Sequence, residues 1–305
     1  MPSDMIIYNT ETPILFLIFN RPTTTSLVFE KIRKAKPKKF YIAADGPRDS
    51  NEKSSCEKTR KIALDIDWEC DIQTLFKEKN VGCKEAISTA LQWFFSLESE
   101  GIILEDDCLP ADSFFGFCSA LLELYRFDTR IAHIAGINFQ NGVVRGDGSY
   151  YFSKLTHVWG WAGWRRAFQD YDPSIKTFPT FQKQGLIMNI PSLAPFATQW
   201  LQNFESVHNG RVDTWDYQYA YLNLINNALC IIPNKNLVSN IGVGNDATHT
   251  QTHPFQNLPL EEMDEITHPT FFIEEVDADI YAHMREYGIH KRRKNPSFLS
   301  KLFNR

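Results

Sequence analysis

Gly101-Ile-Ile-Leu-Glu-Asp-Asp-Cys-Leu-Pro-Ala-Asp-Ser-Phe-Phe-Gly-Phe117 is the stretch on which the reading of this chain turns. Gly101 to Leu104 is a short apolar run, as expected of a buried strand. Three adjacent carboxylates, Glu105, Asp106 and Asp107, follow at once. Asp112 then stands where a helix would be capped, and Phe114, Phe115, Cys118, Leu121, Leu122 and Tyr125 repeat on one helical face. A strand, an acidic turn and a helix are thus packed into about 25 residues.

The same rhythm runs backwards to the start of the chain. Ile14 to Phe19 is a near-continuous apolar run of the kind buried on both faces of a parallel sheet. It breaks at Asn20-Arg21-Pro22, after which Thr23 is placed to cap a helix with Leu27, Val28 and Ile32 inward. Phe40 to Ala44 reads as a second strand ending in the turn Asp45-Gly46-Pro47-Arg48, and Asp71 to Phe76 as a weaker third. Gly82 to Leu97 sets Ala86, Ile87, Ala90, Leu91, Phe94 and Phe95 on one helical side. Alternating strands and helices predict an α/β fold, a Rossmann-like, mostly parallel sheet flanked by helices. Such sheets bind ligands at the carboxyl ends of their strands. Three polar breaks fall there: Asn20-Arg21, Asp45 to Arg48, and Glu105 to Asp107.

Beyond residue 130 the pattern loosens. Ile131 to Ile137, Ser149 to Phe152, Leu229 to Ile232 and Leu237 to Ile241 read as strands, and Thr214 to Asn227 as a helix burying Trp215, Ala220, Tyr221 and Leu224. The Trp-rich segment His157 to Phe168 is expected to lead into a helix, and Thr248 to Thr270 to be a long loop. The expected organisation is a Rossmann-like half over 1–130, a less regular half of the same domain over 131–289, and a basic tail over 290–305.

Composition narrows the function classes. A formal net charge of −5 argues against a dedicated nucleic-acid binder. The six cysteines form no CxxC pair and lie mostly in apolar stretches, as reduced thiols do. Met1 to Thr12 lacks a signal-peptide profile, and no apolar run is long enough to cross a bilayer, so a cytoplasmic location is expected. The tail His290-Lys-Arg-Arg-Lys294, with Phe298, Leu299, Leu302 and Phe303 at helical spacing, suits either a frayed terminus or peripheral contact with anionic lipid.

The acidic triplet carries the chemistry. Adjacent buried carboxylates repel one another unless a cation stands beside them. Mg²⁺ or Mn²⁺ binds through one or two carboxylates, completed by water and substrate phosphates, and neutralises a departing diphosphate. An acidic triplet also fits a solvated helix-capping turn; its position behind Ile102-Ile103-Leu104 favours the metal. Asp216, at the start of a helix, is placed to stay ionised, with Asp213 its competitor. Arg48 can meet a diphosphate bidentately or lie on the surface. Asn80 can contact a base or ribose or merely shape its turn. Of Trp159, Trp161 and Trp164, interleaved with Gly160 and Gly163, Trp161 is the candidate for contact with the ligand. Gly242-Val-Gly244 mimics a dinucleotide fingerprint, but no helix follows it. His249, in the loop beyond, is a candidate metal ligand.

Residues 101–117 resemble the acidic metal-binding segment of the N-acetylglucosaminyltransferase I family, in which a strand, Glu-Asp-Asp and Asp-Phe-Phe-x-x-Phe recur in order. Phe19-Asn20-Arg21, Ala44-Asp45-Gly46, His157 to Trp164 and Trp215-Asp216 are similar to further segments of that family, in the same order over roughly residues 13 to 245. The resemblance implies a GT-A fold, a nucleotide-sugar donor of the UDP-sugar kind, Mn²⁺ or Mg²⁺, and inversion at the anomeric carbon. It implies Asp107 as the direct metal ligand, Asp106 acting through water or the ribose, Glu105 facing the donor sugar, Arg21 and Asp45 holding the nucleotide, and Asp216 as general base. The family's histidine near the nucleotide has no counterpart around Glu78 to Gly82, and its membrane stem is absent. The expected activity is transfer of a sugar to a glycan, lipid-linked or protein hydroxyl. Two competing readings are a sugar-phosphate nucleotidyltransferase and a non-catalytic nucleotide-sugar or glycan-binding module. The first lacks the usual glycine-rich loop at Asn20-Arg21-Pro22.

Overall fold

The computed structural model describes residues 4–5, 10–242 and 255–288. His249, Gly244 and the tail 290–305 lie outside the described residues. The first half runs β1 (Asp4–Met5), β2 (Ile14–Ile18), α1 (Pro22–Ala35), β3 (Lys39–Ala44), α2 (Lys53–Ala63), β4 (Asp71–Phe76), α3 (Cys83–Leu97), β5 (Glu100–Glu105), β6 (Cys108–Pro110) and α4 (Ser113–Leu124). The second half runs β7 (Ile131–Ala135), β8 (Tyr150–Ser153), β9 (Trp161–Trp164), α5 (Arg165–Phe168), α6 (Phe178–Lys183), α7 (Ala197–His208), α8 (Asp216–Ile225), β10 (Leu229–Pro233), β11 (Val238–Asn240), β12 (Glu265–Ile266) and α9 (Val276–Glu286).

Both halves contribute to one eight-stranded sheet in the order β4-β3-β2-β5-β9-β7-β10-β8. The pairings β4-β3, β3-β2, β2-β5 and β7-β10 are parallel. The sheet is Rossmann-like α/β, with helices on both faces. Alternation along each strand sorts the side chains. Ile14, Phe16, Ile18, Phe40, Ile42, Ile102 and Leu104 face α1 and α4, whereas Leu15, Leu17, Tyr41, Ala43 and Ile103 face α3 and α8. The parallel register of β3, β2 and β5 brings Ala44, Ile18 and Glu105 to one edge of the sheet. A second apolar cluster, with Phe178, Phe181, Trp200, Phe204, Tyr221 and Ala282, packs α6, α7 and α9 against α8.

Three local expectations are corrected. The Trp-rich segment is a strand before it is a helix: β9 runs antiparallel between β5 and β7, with Trp161 opposite Ile103. The glycines let that strand lie between two neighbours, and only the four residues of α5 follow it. Helix α1 begins at Pro22, with Arg21 rather than Thr23 at the cap position. Asp112 makes no side-chain cap to α4. Its carboxylate pairs with Lys31 at 2.8 Å and with Lys34. The Glu262 carboxylate takes the cap instead, accepting from the Asp112 N–H (3.0 Å) and the Ser113 N–H (2.8 Å).

A carboxylate on two otherwise orphaned amides at a helix start stabilises a protein by about 1–2 kcal/mol. Glu262→Ala is expected to lower unfolding free energy by that amount in urea titration, with the slope unchanged. Asp112→Ala, which removes surface ion pairs, should cost less than Glu262→Ala.

Candidate functional site

The break after β2 places Arg21 directly opposite the acidic turn after β5. The Arg21 fork spans two carboxylates, with Nη2 at 2.6 Å from Asp106 Oδ1 and Nη1 at 2.7 Å from Asp107 Oδ2. The other Asp106 oxygen accepts the Phe19 N–H at 2.9 Å. Asp106 is 1 % exposed, and its two oxygens are engaged inside the protein, so its direct work is to bind the end of β2 to the end of β5. Gly242, just past β11, is backed against this cluster. A Cβ there would come within 2.1 Å of Asp107 Oδ2 and 2.8 Å of Arg21 Nη1, so any side chain would push the carboxylate and the guanidinium aside.

Burial, then Asp107 beside it, pushes the Glu105 carboxyl up to about 8, with Arg21 pulling the other way. Burial likewise raises Asp106 to about 6 against the same pull. The Arg21 guanidinium is held charged by Asp106, Asp107 and Glu105 although burial opposes it.

The turn after β3 is built by Asp45. Its carboxylate accepts from the Gly46 N–H (2.8 Å), the Asn80 amide (2.8 Å), the Val81 N–H (3.1 Å) and the Gly82 N–H (3.2 Å). Gly46 lets the turn press on Lys79, whose backbone lies 2.4 Å from where a Cβ would stand. Asn80 also donates to the Gly46 carbonyl at 3.1 Å. Asp45 and Asn80 therefore fix one another and the loop to α3. Arg48 donates from Nε to Glu52 Oε1 at 2.8 Å and lies 5.4 Å over the Phe19 ring.

A cavity of about 680 Å³ opens where these strand ends meet α8. Arg21, Asp45, Arg48, Asn80, Glu105, Asp106, Asp107 and Asp216 all line it, as does Asp213. Asp216 is the first residue of α8 and accepts a hydrogen bond from the Thr214 hydroxyl. Asp213 is a crosslink: its carboxylate accepts the Cys83 N–H (2.9 Å) and Lys84 N–H (3.0 Å), capping α3 from 130 residues away. Asp213, although it lines the cavity, is committed to this crosslink, and Asp216 stands on the cavity wall at the start of α8.

Trp161 is a correction. It is 1 % exposed, stacked on His133 (5.2 Å) and Trp215 (6.1 Å) inside the sheet, and does not line the cavity; Trp159 does. The pleat of β9 turns Trp161 into the core beneath α3 and α8, whereas Trp159 precedes the strand. Sequence reasoning missed the far wall altogether: Trp200, Tyr217, His283, Glu286 and Tyr287. Four of them sit on α7 or on α9 and its end, where no chemical pattern marks them.

Among the described residues, no three His, Cys, Asp or Glu side chains gather into a ready metal cage. With both Asp106 oxygens engaged, Glu105 and Asp107 are the carboxylates of this turn that could hold a hard divalent cation, whose shell substrate phosphates would complete. Among the described residues, no helix is long and apolar enough to cross a membrane.

No family model matches the chain, and neither does any curated protein. Solved structures resemble part of it in outline. A UDP-glucose pyrophosphorylase complexed with UDP-glucose is 12 % identical over 53 % of this chain and 71 % of its own, with a TM-score of 0.30. HddC from Yersinia pseudotuberculosis is 10 % identical over 52 % and 80 %, with a TM-score of 0.32. An apo UDP-glucose pyrophosphorylase is 13 % identical over 52 % and 79 %, with a TM-score of 0.34. None of the three is an N-acetylglucosaminyltransferase, and likenesses of this extent say nothing of what the chain does.

The raised Glu105 carboxyl has a consequence for stability. A carboxyl whose folded pKa lies above its unfolded value of 4.5 stabilises the fold fully below that value. The contribution is lost as pH rises toward about 8. Chelator-treated protein should therefore gain stability from Glu105 on acidification from about pH 8 to about pH 6. Glu105→Gln should raise the thermal midpoint at the upper pH and flatten the profile between the two. A Gln variant that melts below the parent at both pH values would contradict this account.

Proposed function

We propose that the chain is an inverting glycosyltransferase of the GT-A kind, moving a sugar from a nucleotide diphosphate sugar, of the UDP-sugar class, to an acceptor hydroxyl. What carries the reading is a single cavity with two chemically different ends. One end gathers the Arg21, Asp45 and Glu105-to-Asp107 strand termini, and another part is walled by the ring cluster of Trp200, Tyr217, His283 and Tyr287, with Asp216 on the wall of the same cavity.

In this reading the phosphates lie over the ends of β2 and β5, where parallel α/β sheets hold such groups. Asp107, on the rim of the acidic turn, would hold Mn²⁺ or Mg²⁺. His249, outside the described residues, is a second candidate ligand. The cation supplies charge neutralisation for the departing diphosphate. Arg21 keeps the two aspartates in place and adds a positive charge beside the phosphates. Arg48 is within reach of the same end once it exchanges Glu52 for a phosphate. Asp45 and Asn80 hold the loop against which the nucleotide rests, and Glu105 faces the sugar. Asp216 accepts the proton of the acceptor hydroxyl as the oxygen attacks the anomeric carbon and the bond to the diphosphate breaks. Inversion follows from that single displacement.

Incubation of the full chain with a panel of UDP-sugars, Mn²⁺ and mixed glycoside acceptors, with UDP release as readout, tests this. Asp216→Asn should slow transfer by about 10²–10⁴-fold while leaving UDP binding intact. Asp107→Ala should remove both the metal response and turnover. Transfer at the parent rate by Asp216→Asn would overturn the assignment of the base. Pyrophosphate formed from UTP and a sugar 1-phosphate, without transfer, would make the chain a nucleotidyltransferase instead.

A further inference from the structure

The far wall of the cavity contains a buried hydrogen-bond donor that the fold does not use. His283 on α9 is 1 % exposed. Its Nε2 accepts the Trp200 indole N–H at 3.1 Å, so the neutral ring carries its proton on Nδ1. That Nδ1–H has no hydrogen-bond partner. A buried donor left unmade costs about 1–3 kcal/mol, so such a group calls for a ligand. The nearest acceptor is the Glu286 carboxylate, with Oε2 at 3.8 Å, too far for a direct bond. An oxygen set beside the pair, off the line that joins them, can stand at hydrogen-bond distance from both, accepting from Nδ1–H and donating to Oε2. Such a group must both accept and donate, as water and a sugar hydroxyl do.

Flat rings surround this pair. Trp200 stands edge-on to His283 at 5.5 Å and to Tyr217 at 6.2 Å, and Tyr287 stacks on His283 at 6.0 Å. Aromatic faces beside a donor–acceptor pair suit the C–H faces and hydroxyls of a pyranose. The local charge selects further. Two carboxylates, Asp216 and Glu286, line this part of the cavity. Burial pushes the Tyr217 and Tyr287 phenols up, with Asp216 and Glu286 adding to it at Tyr217 and Glu286 at Tyr287. An anionic sugar would be repelled there.

We propose that His283 and Glu286 form an acceptor subsite that grips one hydroxyl of a neutral sugar and rejects acidic ones. The proposal deepens the glycosyltransferase reading and rests on it for the word acceptor, whereas the sugar site itself stands on the wall's own geometry.

Ligand-observed NMR on the full chain tests it, with neutral methyl hexosides and N-acetylhexosaminides as one panel and methyl uronides as the other. Binding of at least one neutral glycoside is expected, with the corresponding uronide at least tenfold weaker. His283→Phe and Glu286→Ala should each weaken the neutral glycoside by about tenfold. UDP binding, measured separately by calorimetry, should be unchanged in both. Glu286 is partly exposed, so its variant keeps the test open if loss of the Trp200 bond unfolds His283→Phe. No neutral glycoside bound, equal binding of uronides, or binding that survives Glu286→Ala would overturn the proposal. Absence of UDP binding with the glycoside pattern intact would overturn the transferase reading alone.

Discussion

One guanidinium holds the cavity-facing edge of this sheet together. Arg21 leaves the end of β2 and reaches two successive carboxylates at the end of β5, and the Phe19 amide returns the connection through Asp106. Three carboxylates in a row at the end of an apolar strand would otherwise repel one another in a poorly solvated turn. Removing one member of a buried ionic cluster typically costs about 3–5 kcal/mol, because the others remain buried and uncompensated. An apolar replacement of such a cluster is often no less stable, and in the proposed reading the charge is kept for a cation. With burial pushing Glu105 up to about 8, the turn carries one negative charge beyond Arg21 near neutral pH and two once Glu105 ionises.

A second set of crosslinks holds the cavity's two walls in register. Asp45 gathers the amides of the 80–82 loop, and Asp213 caps α3 directly after that loop. Asp213 lies three residues before Asp216, and the intervening Trp215 carbonyl accepts the Tyr171 hydroxyl at 3.0 Å. Trp215 itself stacks on Trp161. The proposed base is thus referenced to the nucleotide side of the sheet through Asp213 and to the sheet's core through Trp215. The proposed transfer would tolerate little positional slack, and this arrangement limits it.

What was legible in the sequence follows from how local each signal is. Strands β2, β3 and β5 announce themselves because burial on both faces leaves no room for polar residues, and each ends where the charge begins. Arg21, Asp45 and Glu105 to Asp107 could therefore be assigned to one edge before any coordinates. Trp161 could not be separated from Trp159 in the same way, because the choice depends on the pleat of a strand inserted antiparallel between two others, which a tryptophan-rich segment does not reveal. The cap on α4 was misread for a related reason. Asp112 has the right identity and place, yet Lys31 and Lys34 claim it, and Glu262 arrives from 150 residues away. Asp213, His283 and Glu286 owe their positions entirely to tertiary packing.

Electrostatics gives the cavity a direction. Asp45, Glu105, Asp106, Asp107, Asp213, Asp216 and Glu286 line it against Arg21, Arg48 and Lys77. A bare nucleotide diphosphate would meet net repulsion in such a space, in which weak screening magnifies every charge. Arg21, Arg48 and Lys77 stand with the ends of β2, β3 and β4, so in the proposed reading the anion has one region that tolerates it, with a cation sharing the charge of the acidic turn. The opposite region has aromatic rings and carboxylates and no basic residue among those lining it, so it favours uncharged polyols. In the proposed reading a ligand with a charged head and a neutral sugar would enter with the head toward these basic residues and the bond between head and sugar toward Glu105 and Asp216. That polarity would let one acidic cavity take an anionic donor at one end and a neutral acceptor at the other without exchanging them.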